Sequence, residues 1–215
     1  MRVGVCQLRS GDDVERNLSI VDAVVRQAAS QGAELVALPE YAGYLGPPTN
    51  DVVAPLGEGR LERLLIDLAQ ELGVWIVGGT VAERDGDAVF DTTPLIAPDG
   101  EIVSRYRKIH LFDVDLAGQP PFRESATFRP GHELVTHETP GGRIGFAICY
   151  DVRFPELFRG LMALGAETIV VPSQFQHVTG AAHWHVLLRA RAVENQCYVV
   201  APAQWGAYGA PEHRR

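Results

Sequence analysis

The sequence predicts one α/β domain built on mixed sheets, and two observations carry that reading. Apolar, branched segments alternate along the chain with segments whose apolar residues recur at helical spacing, and the central strands are joined by the turn dipeptides Asp85-Gly86 and Asp99-Gly100. Strand–helix alternation calls for parallel pairing across crossovers, whereas hairpins pair antiparallel, so the sheets must be mixed. At 215 residues and 46% hydrophobic content the chain can bury one sizeable core, and no repeat, low-complexity stretch or linker divides residues 1–215.

The elements follow in order. Arg2–Leu8 is a strand. Val14–Ala29 is a helix, with Asp12 or Asp13 as its cap and Gly32 as its stop. Glu34–Glu40 is an apolar strand that ends on a carboxylate. Leu61–Leu72 sets Leu61, Leu64, Leu65, Leu68 and Leu72 on one helical face and stops at Gly73. Val74–Ala82, Ala88–Ala97 and Glu101–Arg107 form a meander, and after a long loop Glu133–Glu138 and Arg143–Cys149 are joined at Pro140-Gly141-Gly142. A helix over Phe154–Leu164, a strand over Glu167–Ser173, a helix over His183–Asn195 and a strand over Cys197–Ala203 complete the series.

Composition excludes several classes. A formal charge of −8 with no basic stripe argues against nucleic acid or an anionic membrane surface as partner. Cys6, Cys149 and Cys197 are too few, and odd in number, for a disulfide framework. No apolar run approaches a membrane span, and Met1-Arg2-Val3-Gly4-Val5 enters an amphipathic strand without a signal-peptide apolar region. A reducing cytoplasm is the expected location.

Chemistry concentrates at strand ends. Cys149 closes the run Arg143–Cys149, and Tyr150–Leu157 reads as a turn opening a helix, with Asp151 able to cap and Pro155 suited to the first turn. There a thiol meets unpaired backbone N–H groups and the positive end of a dipole, both of which favour thiolate. On this segment alone, a buried core cysteine is an equally good reading. Glu40 and Lys108 each end another apolar strand, and such ends gather in one crevice of an α/β sheet. Taken singly, a strand-end glutamate paired with a lysine and a surface lysine in a basic run are the better readings of the two, because exposed charges are common.

Leu38-Pro39-Glu40, Tyr106-Arg107-Lys108-Ile109-His110 and Cys149-Tyr150-Asp151-Val152-Arg153-Phe154-Pro155-Glu156-Leu157 together resemble the three signature blocks of the nitrilase, or carbon–nitrogen hydrolase, superfamily, from Val3 to about Gly209. The resemblance implies an α-β-β-α sandwich of the nitrilase type. It also implies a Glu40–Lys108–Cys149 triad, with Glu124 as a second glutamate bonded to the lysine. An amide is a poor electrophile, so cysteine attack needs a proton carrier, an oxyanion donor and an acid for the departing amine. Glu40 suits the first and third tasks; Lys108, with the Tyr150 N–H, suits the second. Arg153, about one helical turn beyond the nucleophile, is a natural clamp for a substrate carboxylate, set against a salt-bridged helix arginine. Phe175 and Thr179 match pocket positions of the amidase branch, set against a core ring and a loop hydroxyl. No cofactor is expected, and no metal: His177, His183 and His185 with Cys149 fit no ligand spacing. Arg189, Arg191 and Glu194 read as a salt-bridged helix face.

Three features depart from the resemblance. His185 stands where glutamate is usual, and Gln174 and Gln176 stand where small or hydroxyl residues are usual. The chain also stops at Glu212-His213-Arg214-Arg215 where relatives continue through further strands, so the sandwich is expected to lack C-terminal strands and to be marginally stable as written. The expected activity is hydrolysis of the amide of a small carboxylate, deaminated glutathione first, by a homodimer or larger homo-oligomer. The alternatives are an ω-amidase on an α-keto acid amide, N-carbamoyl amino-acid hydrolysis, nitrile chemistry, a catalytically silent scaffold, and redox sensing at Cys149.

Overall fold

A computed structural model describes residues 1–47, 49, 51–115 and 121–207. The segment Glu212–Arg215 lies outside the described residues. Chain order begins with β1 (Val3–Val5), α1 (Val14–Ser30), β2 (Leu35–Ala37), β3 (Val53–Ala54), α2 (Arg60–Leu72), β4 (Trp75–Val77), β5 (Val81–Asp85), β6 (Ala88–Ile96) and β7 (Ile102–Arg107). These strands make one sheet in the order β1-β2-β4-β6-β5-β3, with β7 also paired to β6. β1, β2 and β4 run parallel because helices connect them, and β5, β6 and β7 run antiparallel across the two predicted hairpins. Asp13 caps α1 by accepting from the Arg16 N–H at 3.1 Å, and Gly73 ends α2 in the left-handed conformation at φ 66°.

The second half adds β8 (Asp113–Val114), β9 (Phe122–Arg123), β10 (Thr136–Thr139), β11 (Gly142–Phe146), α3 (Pro155–Ala163), β12 (Thr168–Val170), α4 (His177–Asn195) and β13 (Tyr198–Val200). β10-β11-β12-β13 form the second sheet, and β8 pairs with β9 in a ribbon of its own. Single bridges, Leu8 to Gln204 and Ser173 to Ala203, extend the pairing beyond the strands.

The strand pleat explains the layering. Val36, Ile76 and Ile96 face one way, into a cluster with Val21 and Val25 of α1 and Leu61, Leu65 and Leu68 of α2. Their neighbours Leu35, Ala37, Val77 and Leu95 face the other way, onto Ile144, Phe146, Ile169 and Val170 of the second sheet. Leu157, Phe158 and Leu161 of α3 join that second cluster, and α4 packs on α3 and β13. Each fully buried aliphatic side chain contributes about 1.5–3 kcal/mol, so the two clusters hold the α-β-β-α sandwich closed. Among the described residues no helix is long and apolar enough to cross a membrane.

Several predicted strands shorten, among them Arg2–Leu8 to Val3–Val5 and Glu34–Glu40 to Leu35–Ala37, and three further differences have a local cause or consequence. The strand expected over Val74–Ala82 breaks into β4 and β5 at Gly78-Gly79. Gly79 sits at φ 67°, and a Cβ there would lie 2.2 Å from the Pro39 carbonyl oxygen. The chain must leave the sheet here to let Pro39 and Glu40 pass. The strand expected at Glu133–Glu138 is observed at Thr136–Thr139. The last helix begins at His177 rather than His183. It absorbs Gly180, whose helical cost is about 1 kcal/mol, and turns Trp184 onto Phe175 with ring centroids 5.1 Å apart.

Gly79→Ala is therefore expected to lower stability by at least about 1–3 kcal/mol in urea unfolding, since the strain falls on backbone and no side chain can yield. An unchanged midpoint would show that the Pro39 segment moves freely.

Candidate active site

Three strand ends deliver the predicted residues. Leu38-Pro39 carries the chain from β2 to Glu40, Lys108 follows β7 directly, and Ala147-Ile148 leads from β11 to Cys149. Cys149 opens a 3₁₀ turn over Cys149–Arg153 at φ 43°, and Tyr41, next to Glu40, sits at φ 58°. Left-handed backbone costs a non-glycine residue about 1–3 kcal/mol, so both turns must be held by their surroundings. The Cys149 N–H donates to the Pro172 carbonyl at 2.9 Å. Asp151, buried, gathers the rest of the turn. It accepts from the Ile148 N–H at 2.9 Å, the Tyr106 hydroxyl at 2.7 Å and the His110 N–H at 3.0 Å. His110 Nδ1 lies 2.7 Å from the same carboxylate, which places the ring proton on Nδ1. Asp151 is thus not the cap of α3. Phe154 takes that position with no side-chain bond, because the Asp151 carboxylate points back into the core.

Lys108 lies at the centre of the site, and it is buried rather than on the surface. Its Nζ donates to Glu40 Oε1 at 2.8 Å and to Glu124 Oε1 at 2.9 Å. Glu40 Oε2 accepts the Gln174 N–H at 2.6 Å. Glu124 accepts the Tyr41 hydroxyl at 2.9 Å and the Phe112 N–H at 2.6 Å. The Cys149 thiol donates to the Gln174 carbonyl at 3.6 Å, and Glu40 lies close enough to act on it electrostatically. Glu40, Lys108, Glu124 and Cys149 therefore meet in one buried cluster.

Burial sets the resting protonation. It pushes the Cys149 thiol well above its ordinary range, and the Glu40 carboxylate adds to this; Lys108 pulls the other way and does not prevail. The thiolate expected from the turn dipole is thus overturned by desolvation. Burial also raises Glu40, with Glu124 adding to the effect against Lys108. For Lys108 burial alone would lower the value, but Glu40 and then Glu124 lead the opposing attraction and keep the ammonium charged.

The four groups line a cavity of about 30 Å³, to which Tyr150, Phe175 and Thr179 contribute walls. Gln174 and Gln176 line it as well, so both departures bear on its shape. Arg153 does not line it. Its guanidinium lies 5.6 Å from the Tyr150 ring and 5.3 Å from the Phe175 ring, with Nη1 3.2 Å from His183 Nδ1. Arg191 and Glu194 pair at 2.8 Å as predicted, but Arg191 is buried and its Nε also donates to the Val152 carbonyl at 2.9 Å, bracing the turn that opens at Cys149. A second cavity of about 470 Å³ shares Tyr41, Phe122 and Glu124 with the first.

Sequence reasoning missed Tyr41 and Asp91. Tyr41 had only adjacency to Glu40 as a signal. Asp91 was visible as a charge inside the apolar run Val89-Phe90-Asp91-Thr92, and it lies 3.7 Å from Lys108 Nζ.

The carbon–nitrogen hydrolase family profile matches residues 2–214. The deaminated glutathione amidase of Bos taurus is 44% identical over 215 residues, covering 96% of this chain and 65% of that protein. The human omega-amidase is 38% identical over 199 residues, covering 92% of this chain and 72% of that protein. The crystal structure of the C. elegans NitFhit protein superposes with a TM-score of 0.89 at 35% identity, over 99% of this chain and 53% of that one. The chain thus spans about two thirds of the length of the curated relatives it matches.

Because the Cys149 pKa is raised, its thiolate fraction is small at neutral pH and grows as pH rises. Alkylation by iodoacetamide, followed by mass spectrometry, is expected to accelerate about tenfold per unit between pH 7 and pH 9. A plateau already reached at pH 7 would mean a preformed thiolate.

Proposed function

The chain belongs to the carbon–nitrogen hydrolase family, and from that premise we propose that Cys149 cleaves the amide C–N bond of a small carboxylate-bearing substrate, releasing ammonia. One observation carries the reading. A buried ammonium, Lys108 Nζ, is held between Glu40 and Glu124 in the same small cavity as a thiol whose proton is retained through burial. Such a cluster adds little to stability and is suited to moving a proton.

Since the thiol is protonated at rest, attack and deprotonation go together. Sγ bonds to the amide carbon as its proton passes to Glu40, and the carbonyl oxygen becomes an oxyanion facing Lys108 and the Tyr150 N–H. Collapse of this intermediate breaks the C–N bond, and the nitrogen leaves with the proton from Glu40. Water then adds to the thioester, giving a proton to Glu40. The C–S bond breaks, the acid departs, and Glu40 returns the proton to sulfur. A preorganised oxyanion donor of this kind contributes about 2.7–4 kcal/mol to the barrier reduction.

Deaminated glutathione is the first substrate, supported by the name of the bovine relative. An ω-amide of an α-keto acid is second, supported by the human omega-amidase. In this reading Arg153 receives the substrate carboxylate, while Tyr150, Phe175 and Thr179 enclose the chain that leads to it. A cytoplasmic homo-oligomer is supported by the three free thiols and by exposed Val178, Val186, Val193 and Tyr198 on α4 and β13.

Ammonia release across ω-amides, ureido acids and nitriles tests the proposal. Cys149→Ala is expected to abolish release with the thermal transition unchanged, and retained turnover in that variant overturns the mechanism. Arg153→Lys keeps the charge but loses the bidentate fork. It should lower kcat/KM for carboxylate-bearing amides about a hundredfold and leave uncharged amides nearly untouched. Equal losses on both would make Arg153 structural.

A further inference from the structure

Asp91 lies within β6, buried, with its Oδ2 3.7 Å from Lys108 Nζ. Oxygens of Glu40, Asp91 and Glu124 come within 4.8 Å of one another, and Lys108 Nζ is the cation placed among them. If all three acids were ionised around one ammonium, the buried cluster would carry a net charge of −2. Like charges this close cannot all persist in a buried site, so a proton must reside on one carboxyl.

Hydrogen-bond donors decide which one. Glu40 accepts from Lys108 and the Gln174 N–H, and Glu124 accepts from Lys108, the Tyr41 hydroxyl and the Phe112 N–H. Both are furnished as acceptors. Neither oxygen of Asp91 has a hydrogen-bond partner of ordinary geometry among the described residues. The Thr80 hydroxyl faces Asp91 and, while accepting the Tyr41 N–H at 3.1 Å, keeps its own proton to offer. Asp91 thus has at most this one donor, where Glu40 has two and Glu124 has three. The buried carboxyl with the fewest donors is the natural home for the extra proton.

We propose that Asp91 is a neutral carboxylic acid that acts as a positioning residue, holding the cluster's extra proton so that Lys108 remains shared between Glu40 and Glu124 alone. The charged and titratable groups facing it are Lys108, Glu40, Glu124 and the phenols of Tyr41 and Tyr106. Burial, Glu40 and Glu124 all push the Asp91 pKa up, and Lys108 does not offset them. Were Asp91 to ionise, a third carboxylate would compete for Nζ and draw it away from Glu40 and from the substrate oxygen. Asp91 touches neither substrate nor sulfur, so it works through Lys108.

The test combines infrared spectroscopy with kinetics, and only the kinetic arm rests on the proposed amidase reading. Wild-type protein at neutral pH should show the carbonyl band of a buried protonated carboxyl, shifted in deuterated water. Carboxyl-13C aspartate labelling should move that band and 13C glutamate labelling should not, a result that needs no variant to fold. In Asp91→Asn the band should vanish. Ammonia release at neutral pH should stay within about threefold of wild type, because the amide replaces a neutral acid of the same shape. Its kcat should also lose an alkaline decline that the wild type shows as Asp91 ionises. A missing band in wild type, a band that follows glutamate labelling, or a tenfold or greater loss in a folded Asp91→Asn would each overturn the proposal. If no amide is turned over at all, the labelled spectra still decide where the proton is.

Discussion

A single buried ammonium ties the active centre to both sheets. Lys108 Nζ draws in Glu40 from the end of β2 and Glu124 from the 3₁₀ turn after β9, and it lies near Asp91 of β6. Glu40 in turn takes the Gln174 N–H, from the segment between β12 and α4. One side chain thereby registers strands of the first sheet against a loop of the second. Removing one partner of such a buried pair typically costs about 3–5 kcal/mol, because the remaining charge is stranded. Well-packed apolar side chains would hold the same place equally well, so stability alone does not account for the cluster.

The second constraint is the shape of the turn that opens at Cys149. Cys149 can sit at φ 43° because Asp151 fixes the peptide before it and Tyr106 and His110 of the β7 end beyond that. His110 stacks on Phe154 with ring centroids 3.6 Å apart, and Arg191 of α4 holds the Val152 carbonyl. The strain is stored where it presents sulfur to the cavity, and the network around it comes from three separate elements. The Tyr106–His110 segment thus does two jobs: Lys108 enters the site, while its neighbours brace the cysteine.

Much of this was legible in the sequence, and the reasons differ by residue. Glu40, Lys108 and Cys149 were legible because each stands at the end of a strand, Glu40 and Cys149 after the parallel-paired β2 and β11 and Lys108 after the antiparallel β7. Mixed pairing could be read from alternation and from the Asp-Gly turns, whereas the stacking of two sheets came only from the family resemblance; the placement of Val36 and Leu35 on opposite faces follows from the pleat alone. The break at Gly78-Gly79 could not be read, since it depends on the approach of Pro39 from a distant part of the chain. The state of the thiol was misread for a similar reason. A turn dipole is a local property, whereas desolvation depends on everything packed around the sulfur. Asp91 was passed over because a polar residue in a strand is usually on the outer face, and only the fold turns it inward.

Glu83 provides the contrast that identifies the site as poised. It is as buried as Glu40, at 1% exposure each. Arg105 and Arg107 approach it at 2.8 and 2.6 Å, and the Thr92 hydroxyl donates at 2.7 Å. Burial would raise its pKa, but these partners prevail and lower it. Its contribution to stability is therefore present above the ordinary carboxylate range and is lost as pH falls through the lowered value. Glu40 and Asp91 have the opposite sign. Their folded pKa values are raised, so the folded state keeps protons that the unfolded chain releases, and stability falls as pH rises from their ordinary values toward the raised ones. Two guanidinium groups make one buried glutamate a structural anchor. One shared ammonium leaves the other close to the point of accepting a proton, which is the condition a proton carrier must meet.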